Sequence, residues 1–382
     1  MIFFLLGCRS FVPSTDDQAS AQDPNAPKLT FITVSVEGDL GSSSEPLPFS
    51  AEPISRNITV QTLDQNAEPL AFDGDLKLNV RNGRLASDMD PWISVTNGQW
   101  DSESANEPIY FQAAFGPSRI WVSDEGDKDS TSERKATYAS GVSETMHFAF
   151  PTIAEFNRIE DTETNHLVGE FTEVRVSDRD VAVTVVGTNG FWITDLNDGV
   201  GNYASMYIYT FSKPSGVRPG YRITKLNGGN QEYLGTTQLS FPDHEQEEDN
   251  LFVEVPDMDE QTLCDPQKME GYESAMVRVT NAQIPASFTP GSEEFIDYLE
   301  YGQWPAKLGD CSFHVDSNAL SFAFDPVAYA GESFDAKGMI TQIWSKWIIV
   351  LVDDDGISID GNDFPTRPNH TGPQRPQPRH RE

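Results

Sequence analysis

The chain has 382 residues, of which 60 are Asp or Glu and 26 are Lys or Arg, so its formal net charge at pH 7 is −34. This length is sufficient for two or three domains, each with its own hydrophobic core. So acidic a surface repels phosphate groups and makes nucleic acid an unfavourable partner.

The first 28 residues predict an exported, membrane-anchored protein. Residues 1–8 end in Leu-Leu-Gly-Cys, which resembles the lipobox of bacterial lipoproteins and implies a lipid anchor on Cys8. The Arg9 that follows favours the outer membrane or cell surface of a Gram-negative bacterium. The apolar run is short and has no basic region before it, so either the true start lies upstream or the cysteine is incidental. Residues 9–28 are rich in Asp, Gln, Ala, Ser and Pro, which predicts a flexible linker.

Residues 29–126 predict a β-sandwich. Short runs with strand-like alternation are separated by turn sequences such as Asn82-Gly83 and Asn97-Gly98. The string from Phe111 to Gly126 resembles the last strands of bacterial immunoglobulin-like repeats, although it lacks the cysteine pair of true immunoglobulin domains. The resemblance implies an immunoglobulin-like β-sandwich, and residues 127–168 are expected to form a linker and a connecting strand.

Residues 169–256 predict a small closed barrel. Five strand-like runs begin at Val181, Phe191, Ser205, Tyr221 and Glu232, with turn residues between them. Gly235 lies within the fifth run, where a glycine would allow a sharply bent strand. Five strands of this kind fit an OB-type barrel.

Residues 257–361 predict a degenerate repeat of that barrel. The predicted strands cover 275–280, 312–315, 320–324, 334–343 and 347–352. A helix over 291–300 is expected to interrupt them, with Ser292 as its N-cap and with Phe295 and Leu299 on one face. The Pro- and Arg-containing tail, residues 362–382, predicts disorder.

Three segments carry a family resemblance. They are VTVVGTNGFWITD, RPGYRITKLNGGNQEYLGTTQLSFP and GYESAMVRVTNAQI. They resemble the OB-fold modules that sit beside the catalytic domains of secreted bacterial nucleases of the endonuclease/exonuclease/phosphatase type and that also occur alone in surface lipoproteins. The resemblance implies a fold for roughly half the chain and says little about activity, because its motifs mark glycine and turn positions. No catalytic nuclease motif accompanies it.

Aromatic residues in the first barrel are candidates for a ligand face. Tyr207, Tyr209 and Phe211 alternate along one predicted strand, and Trp192 lies on the strand before it. Such a stripe can stack bases in an OB fold, or it can fill the core of a small barrel. Because the surrounding sequence is acidic, we favour the core interpretation, and an exposed tryptophan would suit a carbohydrate ligand.

Metal-binding signals are weak. The six histidines are scattered without the spacing of a zinc site. Two acidic loops, with Asp195 and Asp198 in one and Asp353 and Asp355 in the other, offer oxygen ligands near glycines but not at EF-hand positions. We therefore expect no cofactor, with calcium as the alternative.

The remaining cysteines, Cys264 and Cys311, predict a disulfide. Both lie in the second predicted barrel of a chain that we expect to be exported, where cysteine pairs are usually oxidised. The alternative is two buried thiols.

Three functions are compatible with these patterns. The leading one is a non-catalytic surface or periplasmic lipoprotein that binds or scaffolds an unidentified protein or carbohydrate. The second is a nuclease-associated accessory protein that binds single-stranded nucleic acid through an OB barrel, and the third is a metal-dependent hydrolase that uses the acidic loops.

Overall fold

The structure, a computed structural model, describes residues 29–64, 66–129, 138–158, 167–359 and 362–363. The predictions for residues 1–28, including Cys8, and for residues 364–382 lie outside these ranges. Within them the chain is mainly β, as the sequence predicts. The described part contains no helix that is long and apolar enough to cross a membrane.

The strands of the N-terminal region are β1 (Leu29–Val36), β2 (Ile54–Arg56), β3 (Ile58–Asp64), β4 (Gly74–Arg81), β5 (Arg84–Leu85), β6 (Trp92–Val95), β7 (Gln99–Asp101), β8 (Ile109–Gln112), β9 (Gly116–Ser123), β10 (Gly141–Val142) and β11 (Met146–Phe148). The central region contains β12 (Phe171–Glu173), β13 (Val181–Val186), β14 (Gly190–Asp195), β15 (Ser205–Tyr209), β16 (Arg222–Tyr233) and β17 (Thr236–Glu247). The C-terminal region contains β18 (Met276–Gln283), β19 (Gln303–Leu308), β20 (Cys311–Asp316), β21 (Ser333–Ile343), β22 (Lys346–Leu351), β23 (Ile357–Ile359) and β24 (Asn362–Asp363).

The α-helices are short: α1 (Ser102–Ala105), α2 (Ile153–Asn157), α3 (Glu260–Leu263), α4 (Pro266–Gly271) and α5 (Glu294–Tyr301). Two 3-10 helices cover Pro326–Tyr329 and Asp354–Gly356.

Three sheets of the N-terminal region share one apolar core. Their strand orders are β1-β3-β7, β10-β9-β4-β6 with β11 also on β9, and β2-β8-β5. On β4, Leu76 and Leu78 are fully buried while the residues between and after them face outward, as the two-residue period of a strand requires. Residues 141–148, which we expected to connect two domains, instead extend this region, because β10 and β11 both pair with β9.

The central sheet has a cyclic strand order. The strands run β16-β13-β14-β15-β17, and β17 pairs again with β16. All of these pairs are antiparallel except β15 with β17. Gly235 does not bend a strand as predicted. It lies in the turn between β16 and β17 with a φ of 101°, a left-handed conformation that glycine adopts without strain.

The C-terminal sheet repeats this order as β18-β19-β20-β22-β21, with β21 paired again to β18 and with β20 and β22 parallel. The prediction missed β19 and placed a strand over residues 320–324, where the structure has none. The helix forms later than expected. α5 begins at Glu294 without a side-chain cap, and Leu299 is 62% exposed while Phe295 packs on the core with Tyr298.

The predicted disulfide between Cys264 and Cys311 is confirmed, with the two Cα atoms 5.3 Å apart. Cys264 ends α3 and Cys311 begins β20, so the bond ties the segment that enters this region to the middle of its sheet.

Candidate functional site

Strands β14 and β15 carry half-buried aromatic side chains on their outer face. Trp192 lies opposite Tyr207 in the antiparallel register. The inward-facing side chains of the two strands are fully buried; they are Phe191, Ile193, Met206 and Ile208. Successive side chains of a strand point to opposite faces, so Trp192, Tyr207 and Tyr209 lie on the outer face. The prediction that the tyrosine stripe fills the core is therefore wrong.

Five aromatic rings form a continuous ladder on this face. The centroid distances are 4.6 Å from Trp192 to Tyr207, 6.4 Å from Tyr207 to Tyr209, 4.5 Å from Tyr209 to Phe211 and 5.0 Å from Phe211 to Phe241. Neighbouring planes are inclined by 33° to 52°. The four aromatic residues predicted as a ligand face thus lie together, and we call the five rings the aromatic ladder.

The end of the aromatic ladder formed by Phe211 and Phe241 is its most exposed part. Phe211 is 55% exposed and Phe241 is 69% exposed. Their φ angles are 63° and 52°, a left-handed conformation that is uncommon for bulky residues. Backbone strain of this kind persists where the surrounding structure holds it in place, and it concentrates at ligand sites. Phe241 was not predicted as part of this face, because strand alternation places it on the same face as buried Leu239.

The other end of the aromatic ladder, at Tyr207, is held by the turn between β13 and β14. The Tyr207 hydroxyl donates a hydrogen bond to Asn189 Oδ1 at 2.8 Å. Burial raises the pKa of Tyr207 to about 12, so the phenol is a neutral donor at pH 7. A Cβ atom added to Gly190 would come closest to the Ile208 carbonyl oxygen and would lie 2.6 Å from the Tyr207 hydroxyl oxygen, so the packing of both groups requires glycine there.

Uncharged polar groups border the aromatic ladder. Tyr207 pairs with Gln238 and Tyr209 with Ser240 across the parallel strands β15 and β17. Gln231 Oε1 accepts hydrogen bonds from Gln238 Nε2 at 3.3 Å and from Ser240 Oγ at 2.5 Å. Gln238 and Ser240 are buried, so the exposed polar group beside the rings is the Gln231 amide.

Most basic side chains of the central region form ion pairs with acidic side chains. Residues 169–256 contain six Lys or Arg and thirteen Asp or Glu. Four of the six basic residues form ion pairs; the pairs are Arg175 with Asp178, Arg179 with Asp195, Arg222 with Asp180, and Lys225 with Asp243. Few cations remain to balance the phosphates of a nucleic acid.

The predicted metal ligands do not converge. Asp195 is fully buried and forms an ion pair with Arg179. Arg179 Nη2 also lies 2.5 Å from Asp198 Oδ1. Burial raises the pKa of Asp195 despite that partner. Asp353 and Asp355 are exposed at the 3-10 helix Asp354–Gly356 of the C-terminal region. Among the described residues, no group of three or more His, Cys, Asp or Glu side chains is arranged to hold a metal ion.

A second group of acids lies where the central and C-terminal regions touch. Glu273 is 7% exposed, and its Oε2 accepts a hydrogen bond from the Thr237 amide at 2.9 Å, while its Oε1 has no hydrogen-bond partner. The Thr237 hydroxyl donates to Glu232 Oε2, also at 2.9 Å. Burial raises the pKa of Glu270 to about 7, with the charge of Glu232 adding to the effect, and burial raises the pKa of Glu273 well above its usual value.

Backbone contacts join the two regions around these acids. The Trp344 amide donates to the Leu234 carbonyl at 3.0 Å, and the Tyr203 amide donates to the Gly271 carbonyl at 2.9 Å. The turns β16–β17 and β21–β22 therefore meet beside the glutamates.

Comparisons of the chain with protein-family models, with curated proteins and with solved structures gave no match.

Proposed function

We propose that this chain is a non-catalytic binding protein that holds an uncharged, ring-containing ligand, a neutral carbohydrate chain, on the aromatic ladder. The observation that carries the proposal is the row of five contacting rings on one solvent-facing sheet surface. Aromatic side chains with an apolar body bind the apolar faces of sugar rings, and a few fixed polar groups orient the ligand. Gln231 is an exposed group of this kind, and the buried Gln238 and Ser240 donate hydrogen bonds to its side-chain oxygen.

The cyclic strand order supports OB-type barrels for the central and C-terminal regions. In that fold the face of the second and third strands binds oligonucleotides and oligosaccharides. Counted from β13, the second and third strands are β14 and β15, which carry Trp192, Tyr207 and Tyr209. We likewise propose an immunoglobulin-like sandwich for the N-terminal region, supported by its three sheets around one core.

Single-stranded nucleic acid is the second candidate, because stacking on aromatic side chains is how such strands bind. The excess of acids over bases in the central region and the paired state of most bases favour the carbohydrate. Metal-dependent hydrolysis is less well supported, because Asp195 and Asp198 both form ion pairs with Arg179.

We also propose that the protein is exported and anchored through Cys8. The disulfide supports an oxidising compartment, and the resemblance of Leu-Leu-Gly-Cys to a lipobox supports the anchor. Expression from the natural start should give a membrane-bound protein, and Cys8→Ala should release it into the soluble fraction. Wild-type protein in the soluble fraction without a lipid would contradict the anchor.

Affinity electrophoresis through gels that contain neutral polysaccharides tests the binding proposal. We expect one or more to retard the protein and Trp192→Ala or Phe211→Ala to weaken that binding about tenfold, since a stacked ring contributes roughly 1–3 kcal/mol. Trp344→Ala is the matched control, because Trp344 is 74% exposed outside the aromatic ladder. Tight binding of single-stranded DNA at physiological salt, without retardation by any polysaccharide, would favour the second candidate and contradict the first.

A further inference from the structure

Two arginines of the N-terminal region lie directly opposite each other. Arg81, the last residue of β4, lies directly opposite Arg119 of β9, and both are exposed. Like charges in this position destabilise a sheet. Among the described residues, neither guanidinium has a carboxylate within ion-pair distance, although many other basic side chains of this acidic chain do.

An open cleft of about 240 Å³ lies between them, lined by Arg81, Asn82, Pro117 and Arg119. Its walls are held by hydrogen bonds between the strands. Asn82 Nδ2 donates to the Pro117 carbonyl at 3.0 Å, and the Ser118 hydroxyl donates to the Arg81 carbonyl at 3.1 Å. The backbone that carries both arginines is therefore fixed before any ligand arrives.

One guanidinium is oriented as well. Arg119 Nε donates to the Thr145 hydroxyl at 2.8 Å, which uses one N–H group and leaves the terminal nitrogens for another acceptor. A planar guanidinium matches carboxylate and phosphate oxygens in a two-point hydrogen-bonded contact. Two guanidinium groups that converge on one cleft can hold such a group between them.

We propose that this cleft binds a small oxyanion, the carboxylate or phosphate group of a larger ligand, between Arg81 and Arg119. The next pair of outward-facing residues along the same strands is uncharged, with Asn79 opposite Trp121. Trp121 is 38% exposed and can cover a ring that carries the anionic group. The cleft is in a different region from the aromatic ladder, and the proposal does not depend on the ladder's ligand.

Titration calorimetry on the full chain at constant ionic strength tests this site, with inorganic phosphate and glucuronate as separate probes. We expect saturable binding of at least one probe, at least tenfold weaker binding in Arg81→Gln and in Arg119→Gln, and no detectable binding in the double variant. Arg218→Gln should leave the affinity unchanged, because Arg218 is an exposed arginine of the central region without an ion pair among the described residues. Tighter binding of phosphate would indicate a phosphorylated ligand, and tighter binding of glucuronate an acidic sugar.

Thermal unfolding without any probe separates a binding role from a structural one. If the arginines are held for a ligand, Arg81→Gln removes a like-charge contact and should leave the melting temperature equal or higher. A lower melting temperature for both single variants would show that the arginines stabilise the fold and would overturn the proposal. Absence of saturable binding of either probe, or equal binding in the double variant, would also overturn it.

Discussion

Single positions decide how the aromatic ladder is built. Phe211 and Phe241 reach the outer face through left-handed backbone, which costs on the order of 1–3 kcal/mol for each such residue. Their contact places two exposed rings side by side at 5.0 Å. We interpret this strain as a cost of presenting the rings to a ligand.

Gly190 gives a residue-scale prediction. An added Cβ would meet the Ile208 carbonyl oxygen first and would also lie 2.6 Å from the Tyr207 hydroxyl oxygen, so Gly190→Ala must displace the β15 backbone as well as that ring. We expect a loss of about 1–3 kcal/mol in the free energy of unfolding, the usual cost of an overpacked contact, together with weaker ligand binding. Urea unfolding measures the first effect.

Gly229→Ala is the control for this prediction. Gly229 lies in the same sheet, and the nearest atom to an added Cβ is 3.7 Å away, an ordinary contact distance. Equal stability of the Gly190→Ala and Gly229→Ala proteins would contradict this account of the packing around Gly190.

The contact between α4 and the β16–β17 hairpin gives a prediction at the scale of elements. The pKa values of Glu232, Glu270 and Glu273 are all raised, so the folded protein binds protons that the unfolded chain releases. Their contribution to stability is complete below about pH 4.5 and is lost as the pH rises through the folded pKa values, which for Glu270 is about 7. Stability should therefore fall between about pH 5 and about pH 8.

Glu273→Gln should remove part of this pH dependence. The amide keeps an acceptor for Thr237 and carries no charge, so the variant should be more stable than wild type at about pH 8, by roughly 1–3 kcal/mol, and similar to it at about pH 5. Thermal melts across this range measure the difference, and Glu254→Gln, at an exposed position, is the control for net charge. A Glu273→Gln protein that is less stable at high pH would show that the ionised carboxylate is needed.

Apolar, β-branched runs and turn residues made part of the fold predictable. Residues 181–186 are mostly apolar and β-branched, Asn189-Gly190 marks the turn after them, and β13 and β14 form there. β19 was missed because Pro305 lies inside it and proline usually marks a break. Two- and three-residue strands such as β5 and β7 are too short to show a sequence pattern, because they are defined by their pairing with neighbouring strands.

Surface placement was harder to predict than secondary structure. Alternation put Tyr207 and Tyr209 on one face but could not decide whether that face was inside, because Met206 and Ile208 are equally apolar. Alternation fails at Phe241, whose left-handed backbone places its ring outside although Leu239, two residues before it, is buried. The opposed arginines depend on the register between β4 and β9, which are 35 or more residues apart in sequence and carry no local signal of pairing.

At the scale of the whole molecule, the disulfide ties α3 to β20 across a sequence separation of 47 residues. The chain-entropy model gives roughly 4 kcal/mol for a loop of this length. We expect the Cys264→Ser/Cys311→Ser protein to lose about that much stability in the C-terminal region, as measured by urea unfolding. Unreduced wild-type protein with two alkylatable thiols would contradict the bond.

The salt dependence of ligand binding, measured by titration of the best-retained polysaccharide, tests the central claim most directly. A neutral ligand stacked on aromatic rings predicts an affinity that is nearly the same at low and at high salt and that falls by about tenfold or more in the Phe211→Ala/Phe241→Ala protein. An unchanged affinity in that variant, or an affinity that falls steeply as salt is added, would contradict the claim that the aromatic ladder binds an uncharged ligand.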